Sequence, residues 1–233
     1  MPGRPPGLAV SMTTLGLIGS GRIGGTVARL ALDAGHDVVL SNSRGPETLA
    51  ELAAELGPRA RAAHGEECAV AGDLVLVSIP LKGYPSLPAD ALAGKTVLDT
   101  GNFYPERDGE IEPLETRQLT DSEYLARQLP GASVVKVFNN IFFKHLLNLA
   151  RPAGAGDRSY LPVAGDDAAA KAAVTAFLDS IGYGTVDDGL LAEGWRQQPG
   201  TPVYGTPYGA FENEKGTPAG EAVIRKALAA ASR

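Results

Sequence analysis

Residues Gly19-Ser20-Gly21-Arg22-Ile23-Gly24 constrain this chain more than any other stretch, because of what stands on either side of them. Before them, Thr14 to Ile18 form a short apolar run suited to a buried strand. After them, Gly25-Thr26-Val27-Ala28 opens a helix. Ile23, Val27, Leu30 and Ala34 recur along it at helical spacing and form one apolar face. In G-x-G-x-x-G the first glycine permits a tight turn and the second lets backbone approach a pyrophosphate. The third lets the helix pack close to the strand, with its amide-rich N-terminus facing the phosphates. Gly35 stands where a C-terminal cap belongs, and Asp37-Val38-Val39-Leu40 resumes as a second strand. A glycine pattern alone is weak evidence. Set between a strand and a helix, it predicts dinucleotide binding.

The alternation continues down the chain. Pro46 opens a helix with Leu49, Leu52, Ala53 and Leu56 on its buried side, ended by Gly57-Pro58. A weak strand falls at Arg59 to Ala62 and a short helix at Glu66 to Ala71. Leu74-Val75-Leu76-Val77 is an uninterrupted apolar run, the pattern of a parallel strand covered on both faces. Thr96-Val97-Leu98 follows the helical stretch Pro88 to Ala93, and Asp99 to Pro113 is a long loop rich in turn residues. Thr120 and Glu123 form a capping box at the head of a helix reaching Leu129. Ser133 to Phe138 is the next strand, Ile141 to Leu149 a short helix, and Ser159 to Ala164 a strand. Asp167 to Ile181 is an amphipathic helix, Gly184 to Val186 a last strand, and Pro218 to Ala231 a final helix. The expected fold is α/β: a doubly wound, mainly parallel sheet of about eight strands in one dinucleotide-binding domain, residues 13–187. Residues 1–12 form an arm expected to be disordered, with Met12 a plausible natural start. Residues 188–233 form a tail and helix contributing to the site or to a dimer.

Several classes of function are excluded. The 233-residue chain carries a net charge of −6 and no basic run, which argues against nucleic acid as a partner. No stretch approaches the roughly 20 apolar residues of a membrane span. A single cysteine, Cys68, and a Pro- and Gly-rich start without a signal-peptide core point to the cytoplasm. His36, His64 and His145 have no Cys or carboxylate at metal-ligand spacing, so no metal site is expected. His36 reads as structural, and His64 and His145 as surface residues.

In an open α/β sheet the ligand lies across the carboxyl ends of the strands. Those ends are Gly19-Ser20, Ser41 to Arg44, Ser78-Ile79-Pro80, Asp99 to Asn102, and Asn139-Asn140. All are small and polar where the strand interiors are apolar. An NAD enzyme usually places an acid about 20 residues after the glycines. Here Ser41-Asn42-Ser43-Arg44 stands in that place, and a hydroxyl with a guanidinium suits a 2′-phosphate. The expected cofactor is therefore NADP.

Three segments together, GLIGSGRIGGTVARLALDAGHDVVLSNSR, DLVLVSIP and SEYLARQLPGASVVKVFN, resemble the NADPH-dependent oxidoreductases of the coenzyme F420 family. The last is also similar to the N-terminal reductase domain of the STEAP metalloreductases. The resemblance runs from Thr14 to Glu193. It implies a phosphate loop at Gly19 to Gly24, a 2′-phosphate pair at Ser43 and Arg44, and nicotinamide-flanking residues at Ile79-Pro80. Where that family has a histidine-containing segment, this chain has Phe138-Asn139-Asn140. DTGNFYPERDG, Asp99 to Gly109, and the ending EGWRQQPGTPVYGTPYG also depart from its pattern.

The cofactor-binding set is thus Gly19, Ser20, Gly21, Arg22, Ile23, Gly24, Asn42, Ser43, Arg44, Ser78, Ile79, Pro80, Asn102 and Asn139. The expected activity is hydride transfer between NADP(H) and a deazaflavin (coenzyme F420) or flavin (FMN or FAD) acceptor, in a homodimer. Asn139 and Asn140 are the candidates for holding the acceptor, with Phe142, Phe143 and Trp195 as apolar walls; the pair could instead cap the next helix. Reduction of a small carbonyl or imine would need a proton donor, with Asp99, Tyr104 and His145 as candidates. A non-catalytic NADP-binding redox sensor is the third reading.

Overall fold

A computed structural model describes residues 12–233, so the N-terminal arm lies outside the described residues except for Met12. The strands are β1 (Thr14–Ile18), β2 (Asp37–Ser41), β3 (Ala60–Ala62), β4 (Leu74–Val77), β5 (Thr96–Asp99), β6 (Ser133–Lys136), β7 (Tyr160–Gly165) and β8 (Gly184–Asp187). They form one sheet in the order β3-β2-β1-β4-β5-β6-β7-β8. The first six pair in parallel, β7 runs antiparallel to β6, and β8 parallels β7. The exits of β1, β2, β4, β5 and β6 therefore open on one edge, which is the edge that positions the site.

The apolar runs are continuous because both faces of the sheet are covered. Leu74 and Leu76 of β4 join a core with Leu15, Leu17, Val27 and Leu98, while Val75 and Val77 join a second core with Cys68, Val97 and Leu125. Successive side chains of a strand point to opposite faces, so neither can be polar. Each such Leu or Val contributes roughly 1.5–3 kcal/mol on burial. The helix Arg22–Asp33 packs through Val27, Ala28, Leu30 and Ala31, and Ala168–Ser180 through Ala170, Val174, Phe177 and Leu178. The capping box is present at Asp121–Gln128: the Glu123 amide donates to Thr120 Oγ1, and the Thr120 amide to Glu123 Oε2.

The structure differs from the sequence reading in three places. The Asp99 to Pro113 loop contains two single helical turns, Pro105–Asp108 and Glu112–Glu115. β6 stops at Lys136, since Phe138 takes a left-handed φ of 65° that ends pairing and turns the chain onto the ligand edge. Residues 188–233 are ordered by two 3-10 segments, Leu191–Gln197 and Thr206–Tyr208, before the helix Glu221–Ala229.

Charge is buried where β5 and β6 end. Asp99 and Lys136 are register partners, both fully buried. Asp99 Oδ1 accepts from Tyr84 Oη at 2.8 Å and from the Gly101 amide at 2.9 Å, and its Oδ2 from Ser122 Oγ at 2.5 Å. Lys136 Nζ donates to the Gly101 carbonyl at 3.0 Å and to Ser122 Oγ at 3.3 Å. Asp121 lies beside them; burial raises its pKa and the Lys136 charge opposes the rise. This group holds Gly101 from both sides. A Cβ there would stand 1.9 Å from the Tyr84 hydroxyl, so no other residue fits.

His36 is buried between β2 and the helix Ala168–Ser180. Its Nδ1 accepts from the Thr13 amide at 3.2 Å, so Nε2 carries the proton and donates to Ser180 Oγ at 2.8 Å. Neutral imidazole satisfies both contacts, as the structural reading of this residue requires. Burial lowers its pKa and the neighbouring Asp37 charge opposes the shift.

Two outcomes are expected. A histidine with a depressed folded pKa contributes stability that is complete above its unfolded value, roughly 6.5, and is lost as pH falls through the folded value. The urea midpoints of the parent and of His36→Gln should therefore converge between pH 7.5 and pH 5; parallel curves would refute the assignment. Lys136→Met leaves buried carboxylates without their cation and should cost about 3 kcal/mol. That loss lowers the thermal midpoint by roughly 6–12 °C in a chain of this size, and an unchanged midpoint would show that the charge is dispensable.

Candidate functional site

The glycine loop is built by steric exclusion. A Cβ on Gly19 would lie 2.3 Å from the Ser78 carbonyl oxygen, and one on Gly24 would lie 2.1 Å from the Gly19 carbonyl oxygen. A Cβ on Gly21 would meet nothing within 4 Å, so the open side of the loop is at Gly21. Gly21 is the N-cap of Arg22–Asp33, with no side-chain cap and no acidic residue in the first turn. The free amides and positive pole of this twelve-residue helix thus face open space, which suits a pyrophosphate.

Four strand exits meet in one cavity of about 480 Å³, within the range of small-molecule sites. Gly21, Arg22 and Ile23 come from the β1 exit, Ser78-Ile79-Pro80 from β4, and Thr100 to Asn102 with Tyr104 and Arg107 from β5. Phe138 to Phe143 come from β6, and Tyr204, Gly205 and Phe211 from the tail. Asn42, Ser43 and Arg44 lie outside this lining, at the β2 exit. They adjoin the glycine loop, where Ser20 Oγ and the Gly19 amide both bond the Ser41 carbonyl, at 2.8 and 3.1 Å. Ser43 and Arg44 are exposed, and the Arg44 amide donates to Asn42 Oδ1 at 2.9 Å. Of the expected cofactor set, Gly21, Arg22, Ile23, Ser78, Ile79, Pro80, Asn102 and Asn139 line the cavity, and Gly19, Ser20, Gly24, Asn42, Ser43 and Arg44 do not.

Of the three proton-donor candidates, Tyr104 lines the cavity and the other two do not. Asp99 is sealed beneath Gly101 with both oxygens engaged. His145 is fully buried rather than on the surface, its Nε2 held 2.9 Å from the Asn213 carbonyl and its ring against Phe142 and Phe211. His64 is exposed, as expected. Among the described residues, no group of three His, Cys, Asp or Glu side chains could hold a metal ion.

Asn139 and Asn140 both line the cavity, and neither caps the next helix, whose N-cap is Phe142 with no side-chain bond. Their amide groups instead fasten the tail. Asn139 Nδ2 donates to the Gln197 carbonyl at 2.7 Å and to Asn102 Oδ1 at 3.0 Å, and Asn102 Nδ2 returns a bond to the Asn139 carbonyl at 2.8 Å. Asn140 Nδ2 donates to the Val203 carbonyl at 3.0 Å, and the Gly205 amide donates to the Asn140 carbonyl at 2.8 Å. Among the described residues, the side-chain oxygens of Asn139, Asn140 and Gln197 are buried without a hydrogen-bond partner. Such acceptors are costly to leave unmet. Gln197 in turn donates to Asp188, whose pKa burial raises to about 6, against the pull of Gln197 and Arg196.

Phe142 and Phe143 form cavity wall, as the sequence suggested. Trp195 does not: its ring lies between the guanidinium groups of Arg196 and Arg233, beside a separate hollow. Sequence reasoning also missed Arg107 and Ile141, and in the tail it missed the wall residues Tyr204 and Phe211. The only signal for them was a Pro-, Gly- and Tyr-rich composition that does not indicate where a tail folds back.

The profile of the family described as NADP oxidoreductase coenzyme F420-dependent matches residues 14–103. Metalloreductase STEAP3 of Rattus norvegicus is 33% identical over 180 residues, covering 76% of this chain and 34% of that protein. The chain spans 34–39% of the length of the curated relatives it matches. Among solved structures, a hypothetical protein of Sinorhizobium meliloti is 30% identical with a TM-score of 0.68, over 83% of this chain and 93% of that one. A proposed F420-dependent NADP reductase of Arthrobacter sp. FB24 is 27% identical with a TM-score of 0.64, over 78% and 86%. No described helix is long and apolar enough to cross a membrane. The glycine loop, the strand order and these likenesses agree, and it is residues 14–103 that match the coenzyme F420-dependent NADP oxidoreductase family.

Proposed function

We propose that the protein passes hydride between NADP(H) and a planar deazaflavin or flavin acceptor. The observation that carries this reading is the lining of the cavity. Ile79, Pro80, Ile141, Phe142, Phe143 and Phe211 give it apolar walls, and Asn102, Asn139 and Asn140 give it amide groups. Its charged residues are Arg22 and Arg107, the second of which is paired with the Asp108 carboxylate at 2.8 Å. A flat ring with polar edges and an anionic substituent matches that combination. The designation of the Arthrobacter neighbour supports the same acceptor class.

In this reading the amides that open Arg22–Asp33 and the Arg22 guanidinium hold the pyrophosphate, and Ser43 and Arg44 take the 2′-phosphate. Ile79 and Pro80 form an apolar backing for the nicotinamide, and Asn139 lines the cavity beside its carboxamide. Bound NADPH supplies the hydride. The chain's part is to stack the two rings in register and exclude water, which is what such a transfer needs most. A second reading, reduction of a small imine or carbonyl, is favoured by the hydroxyls of Tyr104 and Tyr204 in the same cavity.

Two measurements check the proposal. NADPH should bind more tightly than NADH, and Arg44→Ala should remove about 1.5 kcal/mol of that preference, roughly tenfold. This is the low end for a charged hydrogen bond because Arg44 is exposed. Equal affinities for the two nucleotides in the parent would overturn the cofactor assignment. Steady-state NADPH oxidation should proceed with coenzyme F420, FMN or FAD. Turnover with small imines alone would select the second reading, and tight NADPH binding without turnover would indicate a redox sensor.

A further inference from the structure

Tyr104 and Tyr204 reach the cavity from segments a hundred residues apart, and their hydroxyl oxygens meet at 2.5 Å. Both belong to stretches where the chain departs from its family's pattern, the β5 exit and the tail. Each is fixed by its neighbours. The Tyr104 amide donates to Asp108 Oδ2 at 3.0 Å, and the Arg107 guanidinium lies 4.9 Å from the centre of its ring. Tyr204 stands between Val203 and Gly205, both of which are bonded to Asn140.

Two facing hydroxyls share one hydrogen bond but carry two protons. Whichever oxygen accepts, its own O–H remains free for a third partner in the cavity. We infer that the Tyr104–Tyr204 pair is the proton donor that accompanies hydride transfer. The inference rests on the hydride-transfer reading and deepens it: the acceptor belongs to the class that takes a hydride at carbon, or at N5 of a flavin, and a proton at nitrogen or oxygen. The two electrons come from NADPH, whose C4–H bond breaks as the acceptor's C–H bond, or the flavin's N5–H bond, forms. One tyrosine O–H bond breaks as the acceptor's N–H or O–H bond forms. The resulting tyrosinate accepts the hydrogen bond of the other hydroxyl, beside the Arg107–Asp108 ion pair, until water returns the proton. Burial and the Tyr204 contact raise the Tyr104 pKa above the usual tyrosine range, so the proton leaves only as the acceptor atom becomes strongly basic on arrival of the hydride.

The competing role for the pair is a clasp that fastens the tail to the β5 exit. Tyr104→Phe and Tyr204→Phe both keep the ring and remove one hydroxyl, and they separate the two roles. Each variant is compared with the parent for kcat and acceptor KM in H2O and in D2O, for NADPH Kd, and for melting. Donation predicts that either substitution lowers kcat about 100-fold and abolishes the parent's solvent isotope effect, with NADPH Kd changed less than about twofold. If kcat stays within about threefold in both variants, or falls only in step with NADPH affinity and melting, the pair is a clasp and the inference is overturned. If the parent oxidises NADPH with no deazaflavin, flavin, imine or carbonyl, the hydride-transfer reading itself fails, and the inference with it.

Discussion

One close approach governs the rest: the turn from β1 into Arg22–Asp33 leaves no room for a side chain at Gly19 or Gly24. With a Cβ on Gly24 only 2.1 Å from the Gly19 carbonyl, and one on Gly19 only 2.3 Å from Ser78, the helix would be pushed off both β1 and β4. Helix, β1 and β4 are therefore locked at one point, and the helix's free amides are held over the β4 exit. Because β1 and β4 are central in the strand order, every other exit is placed relative to that point.

The floor and roof of the cavity are held by different means. Beneath the β5 exit, Asp99, Lys136, Tyr84 and Ser122 grip Gly101 within the protein, where a charge must be paired or destabilise the fold. Such a group has little freedom, so Thr100 to Asn102 are set in place before any ligand arrives. Above, the tail is tied by neutral amide bonds from Asn139 and Asn140 to Gln197, Val203 and Gly205. Each is worth about 1 kcal/mol net, enough to define a position and weak enough to release one.

This division follows the family likeness. The matched segment, residues 14–103, contains the glycine loop, Ser43, Arg44, Ile79, Pro80 and Asn102. The residues that complete the cavity, from Tyr104 through Asn139 and Phe143 to Tyr204 and Phe211, lie beyond it. The residues expected to hold the cofactor thus fall mostly inside the matched segment, and those that complete the cavity fall beyond it.

What the sequence determined by itself was local. The fingerprint, the capping box at Thr120 and Glu123, and the doubly covered run Leu74–Val77 each follow from a few consecutive residues, because their causes act within one turn or one strand. The polar exits were legible for the same reason: a strand's end shows where its apolar pattern stops. What only the tertiary structure decided involves contacts made across long separations. Lys136 looked like one residue in an apolar strand, and its burial depends on Asp99, Ser122 and Asp121 arriving from two other elements. His145 looked like a helix-surface residue until residues 211–216 covered it. Trp195 and Tyr204 belong to one irregular tail, and one turns away while the other enters the site. Without a period or a motif, the direction of such a segment is set by the partners it meets, here Asn139, Asn140 and Tyr104, and no local pattern records those partners.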